Sequence, residues 1–204
     1  GCALTTRLVV PREKYDEAVE AAKGAMASFA PTDPHDPGAF CGPVISAVQR
    51  ERVEGYIELA RSEGGTIELG GGRPTGEGFD RGFWVEPTLI SGLDNSARVA
   101  QEEIFGPVLV VIPHDGDDDA VRIANDSPYG LSGAVHSADP DRAWSVARRV
   151  RTGTMSVNGG VWYGGDVPFG GYKGSSSYSR EQGKSAREFF TQVKTVYFDP
   201  PPAE

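Results

Sequence analysis

The spacing of apolar residues changes along the chain, and each change marks a predicted element. Residues 4–10 are apolar and β-branched and are stopped by Pro11, which predicts a strand. Over residues 13–29 the period becomes helical, with Tyr15, Val19, Ala22, Met26 and Phe29 on one face. A Pro/Asp/Gly loop at 31–40 is followed by Ser46-Ala47-Val48-Gln49, a capping-box pattern. The helix it opens carries Val53, Tyr56, Ile57 and Ala60 as a buried stripe, and Gly64-Gly65 ends it. Residues 66–69 read as a short strand and 70–82 as a glycine-rich loop. Residues 83–90 predict a strand containing Pro87, hence an edge or bulged one. A short helix at 96–102 precedes the continuous apolar run 108–112, the pattern of a buried parallel strand. Residues 117–125 predict a helix and 131–135 a strand. Asp139-Pro140 opens a helix through residue 150, Gly153 ends it, and 154–157 is again a strand. Residues 158–179 are glycine-rich with scattered aromatics, 189–198 read as a last strand, and 199–204 are a Pro-rich tail.

Strands alternate with helices, so the predicted class is α/β: a largely parallel twisted sheet with flanking helices. The last strand follows a long glycine-rich excursion. Residues 1–185 are therefore expected to form one α/β body, and residues 186–204 a C-terminal strand and tail that leave it. A strand of this composition has an unpaired edge that invites association.

Charge narrows the partners. Lys plus Arg number 20 against 29 Asp plus Glu, a net charge of −9, which argues against nucleic acid and anionic membranes. The basic cluster Arg148, Arg149 and Arg151 reads as a solvated helix face. No apolar run approaches the ~18 residues of a membrane span. Two cysteines, Cys2 and Cys41, do not make a disulfide framework. With no signal peptide in view, a cytoplasmic setting is expected, and the sequon at Asn125 is idle there. The chain opens Gly1-Cys2-Ala3 without Met and almost at once in a strand, so it is expected to be a piece of something longer.

Several sites can be set aside. Gly183-Lys184-Ser185 resembles the end of a phosphate loop, but that loop's first glycine would fall on Tyr178. The glycines at 70–72, 76 and 78 do not spell a dinucleotide fingerprint. His35, His114 and His136 and the two cysteines are too scattered for a metal pattern. A Cys–His hydrolase pairing stays open on spacing alone.

Three features remain. Cys2 could be a thiolate nucleophile, although by itself a free cysteine is more often a small buried hydrophobe. Glu102 and Glu103 put two carboxylates at a predicted helix C-terminus, where the macrodipole disfavours them; the plain alternative is a pair of solvated acids. Residues 161–169 concentrate aromatics in a glycine-rich loop, for pocket lining or for loop packing.

Taken together, Gly1-Cys2-Ala3-Leu4-Thr5-Thr6-Arg7, then Glu102-Glu103-Ile104-Phe105-Gly106-Pro107, then Pro168-Phe169-Gly170-Gly171-Tyr172-Lys173 resemble the aldehyde dehydrogenase superfamily. Glu86-Pro87-Thr88, Tyr129-Gly130-Leu131 and Val157-Asn158 extend the likeness over nearly the whole chain. The resemblance implies oxidation of a small aldehyde to an acid with NAD or NADP, with Cys2 as nucleophile. It implies Glu103 on the ribose beside the nicotinamide and Phe105 near its ring. Gln49, with Arg52 one helical turn on, would touch the same ribose. It sets Tyr163 and Phe169 toward the aldehyde, implies no metal, and makes the last strand part of a homo-oligomer, a dimer or tetramer. Two departures stand out. The Lys173 turn continues Gly174-Ser175-Ser176 rather than in the family's usual way. The family's cofactor-binding half and general base, which precede the cysteine, are absent, so this chain alone is expected to be inactive. The rival readings are a non-catalytic fragment acting only in subunit assembly and a cysteine hydrolase.

Overall fold

The computed structural model describes residues 1–160, 164–176 and 179–199. In chain order its elements are β1 (Arg7–Pro11), α1 (Tyr15–Ala27), α2 (Ala47–Ser62), β2 (Thr66–Leu69), β3 (Thr88–Ser91), α3 (Arg98–Gln101), β4 (Val108–His114), α4 (Asp117–Asn125), β5 (Ser132–Val135), α5 (Pro140–Ala147), β6 (Thr154–Val157) and α6 (Ser185–Phe190). β4, the longest apolar run, sits inside a four-stranded sheet of order β1-β4-β3-β2. β1 and β3 pair with β4 in parallel, and β2 adds antiparallel to β3. β5 and β6 form a separate parallel pair bridged by α5, because two parallel strands need a crossover between them.

Side chains alternate across a strand, so the sheet has two apolar faces. On one face Val110 and Ile112 of β4 and Ile90 of β3 meet Val53, Ile57 and Ala60 of α2. On the other, Val111 and Leu89 meet Val19 of α1, with Ala18, Ala22 and Met26 packed around them. The result is a helix–sheet–helix sandwich. Each buried Val, Leu or Ile contributes roughly 1.5–3 kcal/mol relative to exposure. The caps follow the sequence signals. Ser46 Oγ accepts from the Gln49 N–H at 3.2 Å, and Asp139 Oδ1 accepts from the Asp141 and Arg142 amides at 3.0 and 3.1 Å.

Five expectations change. The predicted strand at 83–90 shrinks to β3, and Phe83 makes only an isolated bridge to Val44. β3 is interior and buried throughout, not an edge, because Pro87 falls just before the first paired residue and leaves the ladder intact. The 96–102 helix contracts to one turn, α3, and the single sheet becomes one sheet plus the β5–β6 pair. Finally, residues 189–198 do not form a strand within this chain. Phe189 and Phe190 end α6, and residues 191–199 are irregular and exposed. Among the described residues this β-rich segment pairs with no strand, so its backbone groups are left without a ladder.

Candidate active site

Cys2 sits in a turn, closed by the Leu4 N–H donating to the Gly1 carbonyl at 3.3 Å, just before β1. Its thiol is free and exposed, so the buried-hydrophobe alternative does not hold. Two side chains fix the segment. Ser132 at the start of β5 donates to the Ala3 carbonyl at 2.6 Å. Arg7, largely buried, donates to the Ile123 and Ala124 carbonyls at the end of α4 at 3.0 and 3.1 Å. The Ala124 carbonyl has no backbone partner among the described residues and that of Ile123 has only the Asp126 N–H at 3.2 Å, so a guanidinium there serves both carbonyls and the helix dipole together. No histidine hydrogen-bonds to Cys2 among the described residues; His114 Nδ1 instead meets the Gly116 backbone. The hydrolase pairing thus lacks its base here. Cys41 is less exposed, and burial pushes its thiol pKa up.

The 102–107 loop leads into β4 and stands at the same end of the sheet as Cys2, since Arg7 of β1 pairs in parallel with Val110 of β4. Glu102 is engaged on both oxygens. Arg98 donates to it at 2.7 and 3.1 Å and the Tyr56 hydroxyl at 2.7 Å. The Arg98 guanidinium, with the Tyr56 hydroxyl, holds the Glu102 carboxyl down at about 2. Its neighbour Glu103 is exposed, and its carboxylate has no protein partner among the described residues. The two adjacent acids are thus set to different tasks, one structural and one open. Phe105 is 54% exposed and adopts φ 59°, a left-handed conformation that costs a non-glycine residue roughly 1–3 kcal/mol. Next to it, a Cβ on Gly106 would lie 2.4 Å from Val53 Cγ2, so only glycine lets the loop seat on α2.

Gln49 and Arg52 hold this loop by its backbone. Gln49 Nε2 donates to the Ile104 and Phe105 carbonyls at 3.0 and 2.9 Å, and Arg52 donates to those of Ile104 and Glu103. Gln49 completes no reciprocal capping box: its Nε2 holds the loop, while its Oε1 accepts nothing from the Ser46 N–H and has no protein donor among the described residues. Periodicity alone had suggested neither brace, nor Tyr56 as a polar residue. The Arg98–Glu102 spacing of four was the one readable signal.

Phe169 is half-buried, and its amide and carbonyl exchange hydrogen bonds with Glu181 at 2.6 and 2.7 Å. The turn beyond it is anchored just ahead of β5: the Tyr172 and Gly153 amides both donate to the Gly130 carbonyl, at 2.8 and 3.0 Å. Lys173, at φ 56°, donates to the Asn125 carbonyl at 2.9 Å. Burial, then Arg151 and Arg7, lower its pKa. The Cys2 segment and this turn are therefore anchored on the same two stretches, residues 130–132 at the entry to β5 and the end of α4. The predicted Tyr163 lies outside the described residues. Among those described, no group of acids, histidines or cysteines could hold a metal, and no helix is long and apolar enough to cross a membrane.

A sequence model of the aldehyde dehydrogenase family matches residues 1–196. Geranial dehydrogenase of Castellaniella defragrans is 44% identical over 97% of this chain and 40% of its own length. Betaine aldehyde dehydrogenase of Brucella melitensis is 37% identical over the same shares, 97% and 40%. Among solved structures, a Mycobacterium tuberculosis aldehyde dehydrogenase complexed with NAD+ superposes with TM-score 0.87 at 44% identity, over 98% of this chain and 41% of that one. Staphylococcus aureus betaine aldehyde dehydrogenase with NAD+ gives 0.89 at 37% identity, covering 93% and 38%. The chain spans about two fifths of the length of the curated relatives it matches.

Proposed function

This chain belongs to the aldehyde dehydrogenase family, and from that premise we propose that it supplies the nucleophile and one end of the cofactor site for NAD(P)+-dependent oxidation of an aldehyde to a carboxylic acid. The observation that carries the reading is an exposed free thiol at the same sheet end as a carboxylate without a protein partner. The Cys2 thiolate adds to the aldehyde carbon. A C–S bond forms, and the carbonyl pair moves onto oxygen. The Cys2 N–H, which donates to no protein acceptor among the described residues, can hold that oxyanion, a contribution of ~3 kcal/mol. When bound, NAD(P)+ supplies the acceptor for the hydride that leaves this carbon. Water then attacks the thioester, the acid departs, and Cys2 is released as thiolate.

The residues present fit one end of the cofactor. A free carboxylate can accept both hydroxyls of a ribose, and the exposed Phe105 ring offers a flat face beside it. Gln49 Oε1 adds a polar atom there, and Phe169 lines the aldehyde side. This chain's sequence offers no glycine fingerprint for the pyrophosphate, and among the described residues none is placed as a base for Cys2. Both functions are assigned to the further length that the relatives have. The 204 residues alone are accordingly inactive, and residues 1–185 form the catalytic body. Residues 186–204 join a partner subunit in a homo-oligomer, a reading favoured by the exposure of Phe190, Val193, Val196, Tyr197 and Phe198.

The test is made in the full-length protein. Iodoacetamide should alkylate Cys2 faster than Cys41, aldehyde or NAD(P)+ should change that rate, and Cys2→Ser should abolish aldehyde-dependent absorbance at ~340 nm. Equal alkylation rates with activity surviving Cys2→Ser would sink the assignment.

A further inference from the structure

Helical period makes Tyr56 a stripe residue, yet its hydroxyl stands in a polar chain between α2 and the loop. Arg52 donates to the Tyr56 oxygen at 3.3 Å, and its guanidinium lies 5.1 Å from the ring centre. The Tyr56 hydroxyl donates in turn to Glu102, which Arg98 grips from its own helix. Arg52's other contacts are the Glu103 and Ile104 carbonyls. The phenol oxygen is thus the one atom that ties the residue holding the Glu103 backbone to the residue just before it in sequence. That backbone needs holding, because Phe105 stays at φ 59° only if its surroundings impose it.

We propose that Tyr56 is a positioning residue for cofactor binding: through Glu102 and Arg52 it fixes the 102–105 backbone so that Glu103 and Phe105 are presented together. It touches no reacting atom. Without the hydroxyl, Glu102 keeps Arg98 but loses its tie to α2, and Arg52 loses an acceptor. The loop then samples more conformations, and a ligand must select the competent one, which lowers apparent affinity in proportion. This role rests on the assignment of Glu103 to the cofactor.

The experiment compares Tyr56→Phe, Glu102→Gln and Glu103→Gln in the full-length protein. NAD+ and NADP+ affinity is read by calorimetry, kcat at saturating cofactor, and amide hydrogen exchange of residues 103–106 without cofactor. Tyr56→Phe should weaken the preferred cofactor about tenfold, the size of one hydrogen bond to a charged group. It should leave kcat within about twofold, since only ground-state presentation changes. It should speed exchange at 103–106 but not in β3 or β4. Glu102→Gln, at a partly exposed position that folding tolerates, should do the same more weakly. Wild-type affinity in Tyr56→Phe beside a weakened Glu103→Gln would overturn the positioning role and leave the cofactor assignment standing. Wild-type affinity in Glu103→Gln would overturn the cofactor assignment, and this role with it. Faster exchange spread across α2 and the sheet would mark Tyr56 as structural only and also overturn the proposal.

Discussion

Around β3 and β4 the chain is held by buried side chains; around the turn at 168–173 it is held by backbone. Leu89, Ile90, Val110 and Val111 are essentially inaccessible, and both apolar clusters lie within the first 125 residues. The turn, in contrast, rests on amide–carbonyl bonds to Gly130, Glu181 and Pro128. Its tightest contact is glycine against glycine: a Cβ on Gly153 would lie 1.6 Å from the Gly170 carbonyl oxygen. Apolar packing is non-directional and tolerates small shifts at graded cost. Glycine-on-backbone contact tolerates no added atom. The sheet can therefore serve as a frame, while the turn is fixed in position without much burial of its own.

Two substitutions break this contrast from its two sides. Leu89→Ala, at a site with 0% exposure, should cost about 3–4 kcal/mol, seen as a lower urea midpoint with one cooperative transition. Gly153→Ala should cost somewhat less globally, about 2–3 kcal/mol, because the turn can detach rather than unfold the sheet. Its signature is local: faster amide exchange at Tyr172 and Phe169, unchanged exchange in β3 and β4. Uniformly faster exchange in Gly153→Ala would show that the two regions are one cooperative unit.

The same contrast governs what could be read from sequence. Elements whose signal is side-chain period came through: β2, α4 and β6 have the predicted bounds, and the stripe Val53, Ile57, Ala60 is the buried face of α2. Features made by long-range polar contacts did not. Arg52 and Gln49 reach carbonyls more than 50 positions away, and nothing in their spacing names an acceptor. Pro87 suggested an edge because a proline inside a ladder requires one, but the ladder begins at Thr88. At 189–198 the β-rich composition predicted a strand, but β propensity makes a strand only where a ladder is joined, and here the apolar side chains stay exposed and unpaired with any strand among the described residues. The broken dipole rule pointed to Glu102 and Glu103 together, and only the family resemblance separated them. The structure gives a better reason: Glu102 is compensated and Glu103 is not.

A smaller effect tests the link between the regions. Lys173 donates to the Asn125 carbonyl, and Arg7 to the neighbouring carbonyls of α4. Lys173→Met keeps the stem and removes the ammonium, and should cost about 1 kcal/mol. If α4 couples the turn to the Cys2 segment, the alkylation rate of Cys2 in this chain should change as well. An unaltered rate would leave the two segments merely adjacent.

The smallest effect concerns pH and falls on the sheet region, where Glu54, Asp94, Glu102, Asp115, Asp117 and Asp119 are all held below the usual carboxylate range. Glu102 is lowered furthest, from 4.5 to about 2, by Arg98 first and Tyr56 second. Its ionised form is favoured by folding, so its contribution is complete above about 4.5. As pH falls from there toward about 2, the unfolded chain takes up the proton first, and the contribution is lost. The ion pair is exposed to water, so the effect is modest and screened by salt. Melting midpoints between pH ~6 and ~2 should therefore fall less steeply in Glu102→Gln than in the wild type. Raising NaCl to about 1 M should shrink the difference, because the Debye length drops to ~3 Å. Parallel curves at low salt would show that the Arg98 and Tyr56 contacts to Glu102 do not persist in solution, and the differing tasks of the two adjacent acids would then need another cause.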